Sequence, residues 1–484
     1  MTGDCNFAGC LVDRLGPGSV LIDAATGLTI SPGDLPRLIA ANGAALRAIG
    51  LKQGDRVLIG CTLSPASALV YLGAIYAGLV AVPVEERALI SSAAKLIEAT
   101  DAKAVWSDTG VGGWPTASSP VHWLQGDLAK EARPGVPPTS CTRSDLATLM
   151  ATSGSTGVPR FVMVSHGNLI ANTEAIVRSQ HLTEGERAML ILPVSYCFGA
   201  SVMHTHLYQG GGVVFDRRFM FPDKVLQAVA QLRCTTFAGV PTVYNVLLRR
   251  SHIRQTAMPS LRRFLQAGGP LPIERINEMR AAFPAVKFYV MYGQTEATAR
   301  ISCMIPEFWE SKQGSVGRPL DNLTVSIVDD RGNDLPQGET GELIVRGPSI
   351  CSGYLNDPEQ TGRTFRDGWL HTGDMARQDR ERYLWIEGRK GAFLKTRGTR
   401  VSFAEIEQMV ASIAGIYECT ARAISHPEAG EALVLFVVPD PGSGIGTEEI
   451  RRQLPPHWTV DSIRLVPELP QTPVGKVSRS VNPV

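Results

Sequence analysis

Apolar residues along the first two thirds of the chain alternate between two spacings. Residues 30–46 and 64–77 have helical spacing, and each stretch leads into a short apolar run, at 56–61 and 80–84. The same succession of helix-like and strand-like runs continues at residues 102–107, 121–124, 187–193, 200–209, 213–215, 223–232 and 236–240. Helices that alternate with short buried strands predict a layered α/β fold.

The spacing changes after Gly317. Short alternating runs at residues 324–328 and 342–345 are separated by the turn sequences Asp-Asp-Arg-Gly and Pro-Gln-Gly-Glu. Alternating runs joined by such turns are typical of antiparallel strands. We therefore expect a β-rich subdomain at about residues 317–388.

A boundary between two domains is predicted at residues 389–391. One strand pattern ends there, and a new one begins at Phe393. The later helix and strand patterns cover residues 402–411, 421–424, 433–438 and 447–454. Because 484 residues exceed what one core accommodates, we expect a large N-terminal domain at 1–388, a hinge at 389–391 and a small mobile α+β domain at 392–484.

Composition excludes several classes of function. The formal net charge is +1 and no basic tract is present, which argues against a nucleic-acid partner. The nine cysteines have no CxxC spacing, so neither a zinc cluster nor a disulfide scaffold is indicated. The amino terminus lacks the features of a signal peptide, and no apolar window is long enough to span a membrane. These features predict a cytoplasmic protein, and none of them indicates its oligomeric state.

A run of small and hydroxylated residues predicts a phosphate-binding loop. Backbone N–H groups and hydroxyls in such a run can surround a phosphate, because no bulky side chain blocks a close approach. Taken alone, the run also fits a flexible loop. Its residues are Thr152, Ser153, Gly154, Ser155, Thr156 and Gly157.

Two further segments carry carboxylates beside glycine. Glu296 ends a segment that follows an apolar strand-like run, and it could either hold a divalent cation or cap the helix that follows. Asp374 ends the turn sequence His-Thr-Gly-Asp, where its carboxylate could accept both hydroxyls of a ribose, and Arg389 follows shortly after. The segment that ends in Glu296 reads Tyr292, Gly293, Gln294, Thr295, Glu296.

Lys476 lies on a short glycine-bearing loop close to the chain end, in the sequence Pro-Val-Gly-Lys. By itself it could be one more solvated surface lysine. In this order, however, the segments resemble the motifs of the adenylate-forming superfamily, which comprises acyl-CoA synthetases, aryl acid ligases, nonribosomal adenylation domains and firefly luciferase. The resemblance covers nearly the whole chain.

That resemblance implies an enzyme that forms an acyl-adenylate from ATP and a carboxylic acid. Lys476 would bridge the substrate carboxylate and ATP, while Mg²⁺ near Glu296 and Thr156 screens the phosphates. In-line attack of one anion on another needs charge neutralisation and alignment more than proton transfer. Asp374 would hold the ribose with help from Arg389, and the turn Ala267, Gly268, Gly269 with Tyr292 would flank the adenine.

The resemblance also implies a second step, in which a thiol attacks the acyl-adenylate after the small domain has rotated. Lys395 and Gly398 match the positions that border the pantetheine tunnel in the family. Two positions depart from the family pattern. The phosphate loop continues with Arg160-Phe161, which keeps a cation but adds an aromatic ring where glycine is usual, and the hinge residue, commonly Asp or Lys, is Gly391.

The substrate pocket is predicted around Tyr196, Phe198 and Gly199. Amino-acid-activating relatives place an aspartate there, and its absence disfavours an α-amino acid, since a buried ammonium would lack a counter-charge. An apolar acyl or aryl chain fits better. Introducing Gly199→Asp is expected to repel simple acids and admit an amino acid. His204 and His206 are nearby and could line the pocket or be structural.

The predicted function is an ATP-dependent acid–thiol ligase with coenzyme A as the acceptor. A stand-alone enzyme that loads the phosphopantetheine of a separate carrier protein fits the sequence as well. Two alternatives from other classes are a luciferase-like oxygenase and a non-catalytic sensor of acyl nucleotides. ATP-dependent pyrophosphate exchange separates the ligase from the sensor.

Overall fold

The computed structural model describes residues 5–109, 121–130, 137–152, 159–390, 393–396, 399–426, 430–455, 458 and 460–471. Its first part builds a sheet of parallel strands covered by helices. The helices and strands of this part are α1 (Phe7–Val12), β1 (Leu21–Asp23), β2 (Thr29–Ile30), α2 (Leu35–Ala48), β3 (Arg56–Cys61), α3 (Pro65–Tyr76), β4 (Val80–Glu85), α4 (Glu86–Thr100), β5 (Ala102–Ser107), β6 (His122–Gln125), β7 (Leu146–Thr152), β8 (Arg160–Ser165) and α5 (His166–Gln180).

The first sheet has the strand order β6-β5-β3-β4-β7-β8, and only β8 runs antiparallel to its neighbour. Buried helix α3 begins after Ser64, whose hydroxyl accepts the backbone N–H of Ser67. It packs closely on α2, because a Cβ on Gly43 would lie 2.8 Å from the carbonyl oxygen of Gly73. The predicted start of α2 near residue 30 was early, since Ile30 instead pairs with Leu21.

A second sheet follows, with the strand order β15-β14-β13-β12-β11-β9-β10-β1-β2. Its six central strands, from β13 to β1, are parallel. The elements of this part are β9 (Arg187–Leu190), α6 (Cys197–Tyr208), β10 (Gly212–Phe215), α7 (Pro222–Gln231), β11 (Thr236–Gly239), α8 (Pro241–Arg250), β12 (Arg263–Gln266), α9 (Ile273–Ala282), β13 (Lys287–Tyr292), β14 (Ser302–Met304) and β15 (Arg318–Pro319). Parallel strands place their carboxyl ends at one edge, where ligands bind in open α/β sheets.

A smaller antiparallel sheet comes next, with β17 and β19 at its centre. It joins the first sheet through a bridge between Val162 and Tyr354. Its elements are β16 (Thr324–Val328), β17 (Gly341–Arg346), α10 (Pro358–Thr364), β18 (Phe365–Arg366), β19 (Trp369–Gln378) and β20 (Leu384–Arg389).

The C-terminal part packs α11 against a three-stranded sheet and has an apolar core of its own. Its elements are β21 (Phe393–Thr396), β22 (Thr399–Ser402), α11 (Phe403–Ser412), β23 (Ile416–His426), β24 (Gly430–Pro439), α12 (Thr447–Gln453) and β25 (Ser462–Leu465). The predicted α/β fold class, with a large N-terminal and a small C-terminal domain, is confirmed. None of the helices in the described ranges is long and apolar enough to cross a membrane.

Basic residues of the large domain contact the C-terminal part. Arg275 donates a hydrogen bond from Nη2 to the carbonyl oxygen of Ile416 (2.8 Å), and Arg249 Nε lies 3.3 Å from Asp440 Oδ1. The Arg250 guanidinium lies 4.8 Å from the ring centroid of Tyr417. These contacts hold the start of β23 against α8 and α9.

Glu418 is buried at this contact, and burial raises its pKa from 4.5 to about 7 against the opposing effect of Arg250. The folded chain therefore binds this proton more tightly than the unfolded chain, and stability falls as pH rises between those two values. Deprotonation of Glu418 should lower the free energy of unfolding by about 3 kcal/mol between pH 4 and pH 8. We expect Glu418→Gln to abolish this loss at pH 8 and to leave the free energy of unfolding at pH 4 almost unchanged.

Thermal unfolding between pH 4 and pH 8 measures this effect. The matched control is Glu339→Gln, because Glu339 is an exposed glutamate. Parallel curves of melting temperature against pH for the wild type and Glu418→Gln would contradict the assignment.

Candidate active site

A cleft of about 750 Å³ lies where the carboxyl ends of strands from both large sheets approach the smaller antiparallel sheet. The strands β4, β7 and β13 end in it, and so does the turn that precedes α6. The polar and aromatic side chains that border it come from segments far apart in the sequence. They include Glu85, Thr152, Arg160, Ser195, Tyr196, Gln294, Thr295, Glu296, Tyr354, Gln360, His371, Thr372 and Arg389.

The segment after β13 turns sharply into the cleft. Gly293 allows this turn, since a Cβ there would lie 2.0 Å from the carbonyl oxygen of Ala299. Glu296 follows in a single helical turn, and its Oε1 accepts a hydrogen bond from the Tyr354 hydroxyl (2.7 Å). Within the described part of the chain, Oε2 of Glu296 makes no hydrogen bond or ion pair. The carboxylate is therefore held in place and keeps one oxygen for a cation.

Asp374 lies in β19 with its carboxylate almost fully buried. The Tyr292 hydroxyl donates to its Oδ2 (2.5 Å), and Arg389 Nε pairs with its Oδ1 (2.8 Å). Burial raises the pKa of Asp374, whereas Arg389 and Tyr292 lower it. Both carboxylate oxygens are thus engaged, and ribose hydroxyls would have to share them or displace Arg389, whose side chain is 62% exposed.

Arg160 is the first residue of β8 and borders the cleft. Its Nε lies 3.2 Å from Oδ2 of Asp357, which also caps α10. Phe161 points to the opposite face of the strand and is buried in the core of the first sheet. The aromatic ring that replaces a glycine in the sequence is therefore directed away from the cleft, while the cation faces it.

Several predicted positions lie outside the described residues. They are Ser153, Gly154, Ser155, Thr156 and Gly157 of the phosphate loop, together with Gly391, Gly398 and Lys476. Lys395 belongs to β21, where its backbone pairs with Arg400 of β22. The roles suggested for these residues remain predictions.

The turn after β12 borders a different cavity. Gly268, which has φ +90°, and Gly269 line a space of about 230 Å³ that is closed on its other side by Tyr417, Glu418 and other residues of the C-terminal part. Ala267 is buried. The pairing of this turn with Tyr292 around one adenine stays a prediction.

Of the predicted substrate-pocket residues, Tyr196 borders the cleft and Phe198 packs edge-on behind it, with ring centroids 6.3 Å apart. His204 is not among the described residues that border the cleft, and its place in the acyl pocket stays a prediction. Its ring is buried against Phe7 and Tyr71, and burial lowers its pKa to about 3. His206 is structural too, since its ring nitrogens contact the Val202 carbonyl and the Thr236 hydroxyl.

Gly199 also differs from its predicted role in the acyl pocket, because a side chain added at this position would not face the cleft. A Cβ there would lie 2.3 Å from the carbonyl oxygen of Pro193 and 2.8 Å from that of Leu192. Rather than tuning selectivity, Gly199 lets α6 pack on the preceding turn.

We therefore expect Gly199→Ala to destabilise the protein by at least about 2 kcal/mol, and Gly199→Asp by more, because backbone atoms must move. Thermal or denaturant unfolding measures the change. Gly362→Ala is the matched control, since this helical glycine has no neighbour within 4 Å of an added Cβ. A Gly199→Asp variant that is as stable as the wild type would contradict this placement.

Two side chains that support the site were not singled out from the sequence. Tyr354 holds Glu296, and Asp357 holds Arg160, across separations of 58 and 197 residues. Their only local signal is the turn sequence Ser-Gly-Tyr-Leu-Asn-Asp-Pro, which predicts a loop and a helix start but not the partners of its side chains.

Comparison with known proteins gives consistent matches over nearly the whole chain. The model of the AMP-binding enzyme family matches residues 17–355, and that of the AMP-binding enzyme C-terminal domain matches residues 405–476. A feruloyl-CoA synthase from an Amycolatopsis species is 30% identical over 463 residues, 93% of each chain. The 4-coumarate–CoA ligase-like protein 3 of Oryza sativa subsp. japonica is 30% identical, covering 96% of this chain and 85% of its own.

Among solved structures, ATP-bound MatB from Rhodopseudomonas palustris superposes with a TM-score of 0.87 at 27% identity. The match covers 99% of this chain and 98% of MatB.

Proposed function

This chain belongs to the AMP-binding enzyme family and is an AMP-forming acid–thiol ligase, and we propose that it activates a carboxylic acid without an α-amino group and transfers the acyl group to coenzyme A. The observation that carries this proposal is the convergence of Arg160, Glu296 and the Asp374–Arg389 pair on one cleft. These groups are proposed to bind the phosphates, the cation and the ribose of ATP.

In the first step, an oxygen of the substrate carboxylate attacks the α-phosphorus of ATP, and the bond to pyrophosphate breaks on the opposite side. Both reactants are anions, so the site must reduce their repulsion and hold them in line. Arg160, whose guanidinium is held by Asp357, is proposed to supply a cation for the departing phosphates. Lys476 is proposed to neutralise the attacking carboxylate and the phosphate that it approaches.

A magnesium ion fits the donors that the cleft offers. Mg²⁺ usually takes one or two protein carboxylates and completes its coordination with waters and substrate phosphates. Glu296 keeps one carboxylate oxygen for it, and the described residues contain no group of three His, Cys, Asp or Glu that would form a self-sufficient metal site. When bound, the ion would neutralise phosphate charge.

The second step joins the acyl group to sulfur. The thiolate of coenzyme A attacks the carbonyl carbon of the acyl-adenylate, and the bond to the AMP oxygen breaks. The small domain is proposed to rotate about Gly391 between the steps, so that Lys476 acts in the first step only.

The acid is proposed to lie toward Tyr196 and Cys197, which border the cleft together with the groups proposed to bind ATP. Tyr196 packs on Phe198, and the groups that face these two rings are the Cys197 thiol and the Arg300 guanidinium, neither of which could pair with an α-ammonium. An amino acid would therefore bury an unpaired charge there.

ATP–pyrophosphate exchange tests the first step with a panel of short, medium, long and aryl carboxylic acids. Exchange that depends on both ATP and one class of acid supports the proposal, and the same acids are then offered with coenzyme A or with a phosphopantetheinylated carrier protein. Thioester formation with the carrier protein but not with coenzyme A would identify the carrier as the acceptor and leave the proposed first step unchanged. Absence of exchange with every acid would overturn the ligase assignment.

A further inference from the structure

A buried arginine without an anionic partner lies beside the substrate side of the cleft. Arg300 follows the Tyr292–Glu296 segment and precedes β14. Its backbone is fixed, since Asn172 accepts the Arg300 N–H (3.3 Å) and donates to the Arg300 carbonyl (3.0 Å). Its side chain is 2% exposed.

The guanidinium of Arg300 makes no hydrogen bond or ion pair with any residue in the described ranges, and its Nε–H is buried without a partner. Burial lowers its pKa, and the titratable groups that face it are the thiols of Cys197 and Cys303 and the phenol of Tyr196. Burial raises the pKa of Cys303 to about 11 and that of Tyr196 further above its usual value, so both groups stay protonated. Neither of them supplies a negative charge.

Another buried arginine, Arg263, has the kind of anionic partner that Arg300 lacks among the described residues. Arg263 is 6% exposed, and its Nη1 lies 2.9 Å from Oε1 of the buried Glu186. A buried cation is normally paired in this way, because leaving water without a counter-charge is costly. The Arg300 guanidinium instead lies 4.9 Å from the ring centroid of Phe198. A cation–π contact offsets only part of such a cost.

The position of Arg300 connects it to the cleft. The guanidinium contacts Phe198, and Phe198 packs on Tyr196, which borders the cleft together with Cys197. Thr295, which also borders the cleft, donates to the Cys197 sulfur (3.5 Å). The cation therefore lies directly behind the wall against which the acid substrate is proposed to lie.

Resting on the proposed function, we infer that the acid substrate carries a second anionic group, and that Arg300 binds this group at the end remote from the reacting carboxylate. A dicarboxylic acid is the chemical class that fits. The planar guanidinium presents parallel N–H donors that match a carboxylate, and a partner would satisfy the unpaired charge. An amino acid is disfavoured for the same reason, since its ammonium would meet a cation.

The test measures kcat/KM for ATP–pyrophosphate exchange with matched acids that differ only in the second carboxylate. The pairs are glutarate with pentanoate, adipate with hexanoate, and terephthalate with 4-methylbenzoate. For the wild type, we expect the diacid of at least one pair to be preferred by at least about tenfold, as a charged hydrogen bond provides.

Arg300→Met should lower kcat/KM for that diacid at least about tenfold, chiefly through KM. The kcat/KM of the paired monocarboxylic acid should change by no more than a few-fold. Arg300→Lys, which keeps the charge but not the fork, should retain part of the preference. Two outcomes would overturn the inference and assign Arg300 to the packing of Phe198. One is an equal loss of kcat/KM for both acids of a pair, and the other is a wild-type preference for the monocarboxylic acid in every pair.

The two proposals fail in different ways. Exchange with monocarboxylic acids alone would keep the ligase function and contradict only the role of Arg300. Exchange with no acid of either kind would contradict both proposals. The wild-type ratio within each pair decides the question even where Arg300→Met does not fold.

Discussion

Replacing Lys476 with alanine is expected to lower ATP–pyrophosphate exchange by at least about 100-fold, because loss of one preorganised charge at a reacting centre typically costs about 3 kcal/mol or more. The lysine is proposed to neutralise two anions that must approach each other in the first step. Thioester formation from a supplied acyl-adenylate should stay close to the wild-type rate, since the lysine is proposed to act in the first step only.

The control for this experiment is Lys103→Ala, which removes an exposed lysine paired with Asp101. Its rates in both half-reactions should equal those of the wild type. Loss of exchange and of thioester formation by the same factor in Lys476→Ala would contradict the assignment, because it would place the lysine in both steps or in the fold.

Glu296→Gln is expected to have the second large effect. Glutamine preserves the size of the side chain and can still accept from the Tyr354 hydroxyl, but it removes the negative charge available to a cation. Because a bound metal ion contributes several kcal/mol to charge stabilisation, exchange at saturating substrates should fall by about 100-fold or more. The Mg²⁺ concentration needed for half-maximal activity should also rise.

Tyr354→Phe is the matched variant for Glu296→Gln. It removes the hydroxyl that orients the carboxylate and keeps the charge, so we expect a loss of about 10-fold with a smaller change in Mg²⁺ dependence. An unchanged Mg²⁺ dependence in Glu296→Gln would show that this carboxylate does not bind the metal, and would return it to a purely structural role in its helical turn.

The Asp374–Arg389 pair has a consequence for nucleotide binding. The buried carboxylate already has two partners, Tyr292 and Arg389, and it lies opposite Arg389 in the register of β19 and β20. Arg389 is also the last residue of β20 and the first residue of the predicted hinge. A ribose that displaced Arg389 from Asp374 would therefore act on the residue at which that hinge begins.

The amino-acid sequence by itself determined the alternation of helices and strands, and with it the α/β class. Local spacing suffices for this, since each amphipathic helix or buried strand carries its own period. The strands at residues 56–61, 102–107 and 324–328 were predicted with the bounds that the structure has. The glycine-marked segments were also visible, because the chemistry of a tight turn with a carboxylate is contained in a few consecutive residues.

Only the tertiary structure decided how those segments face one another. The directions of Gly199 and His204 depend on how α6 packs on the turn before it and on Phe7 and Tyr71, and these contacts are not encoded in the local pattern. Arg300 reads as an ordinary polar residue until its burial is seen together with the lack of a carboxylate partner for it in the part of the chain that the structure describes. Partners separated by many residues are selected by packing, and packing is a property of the folded chain as a whole.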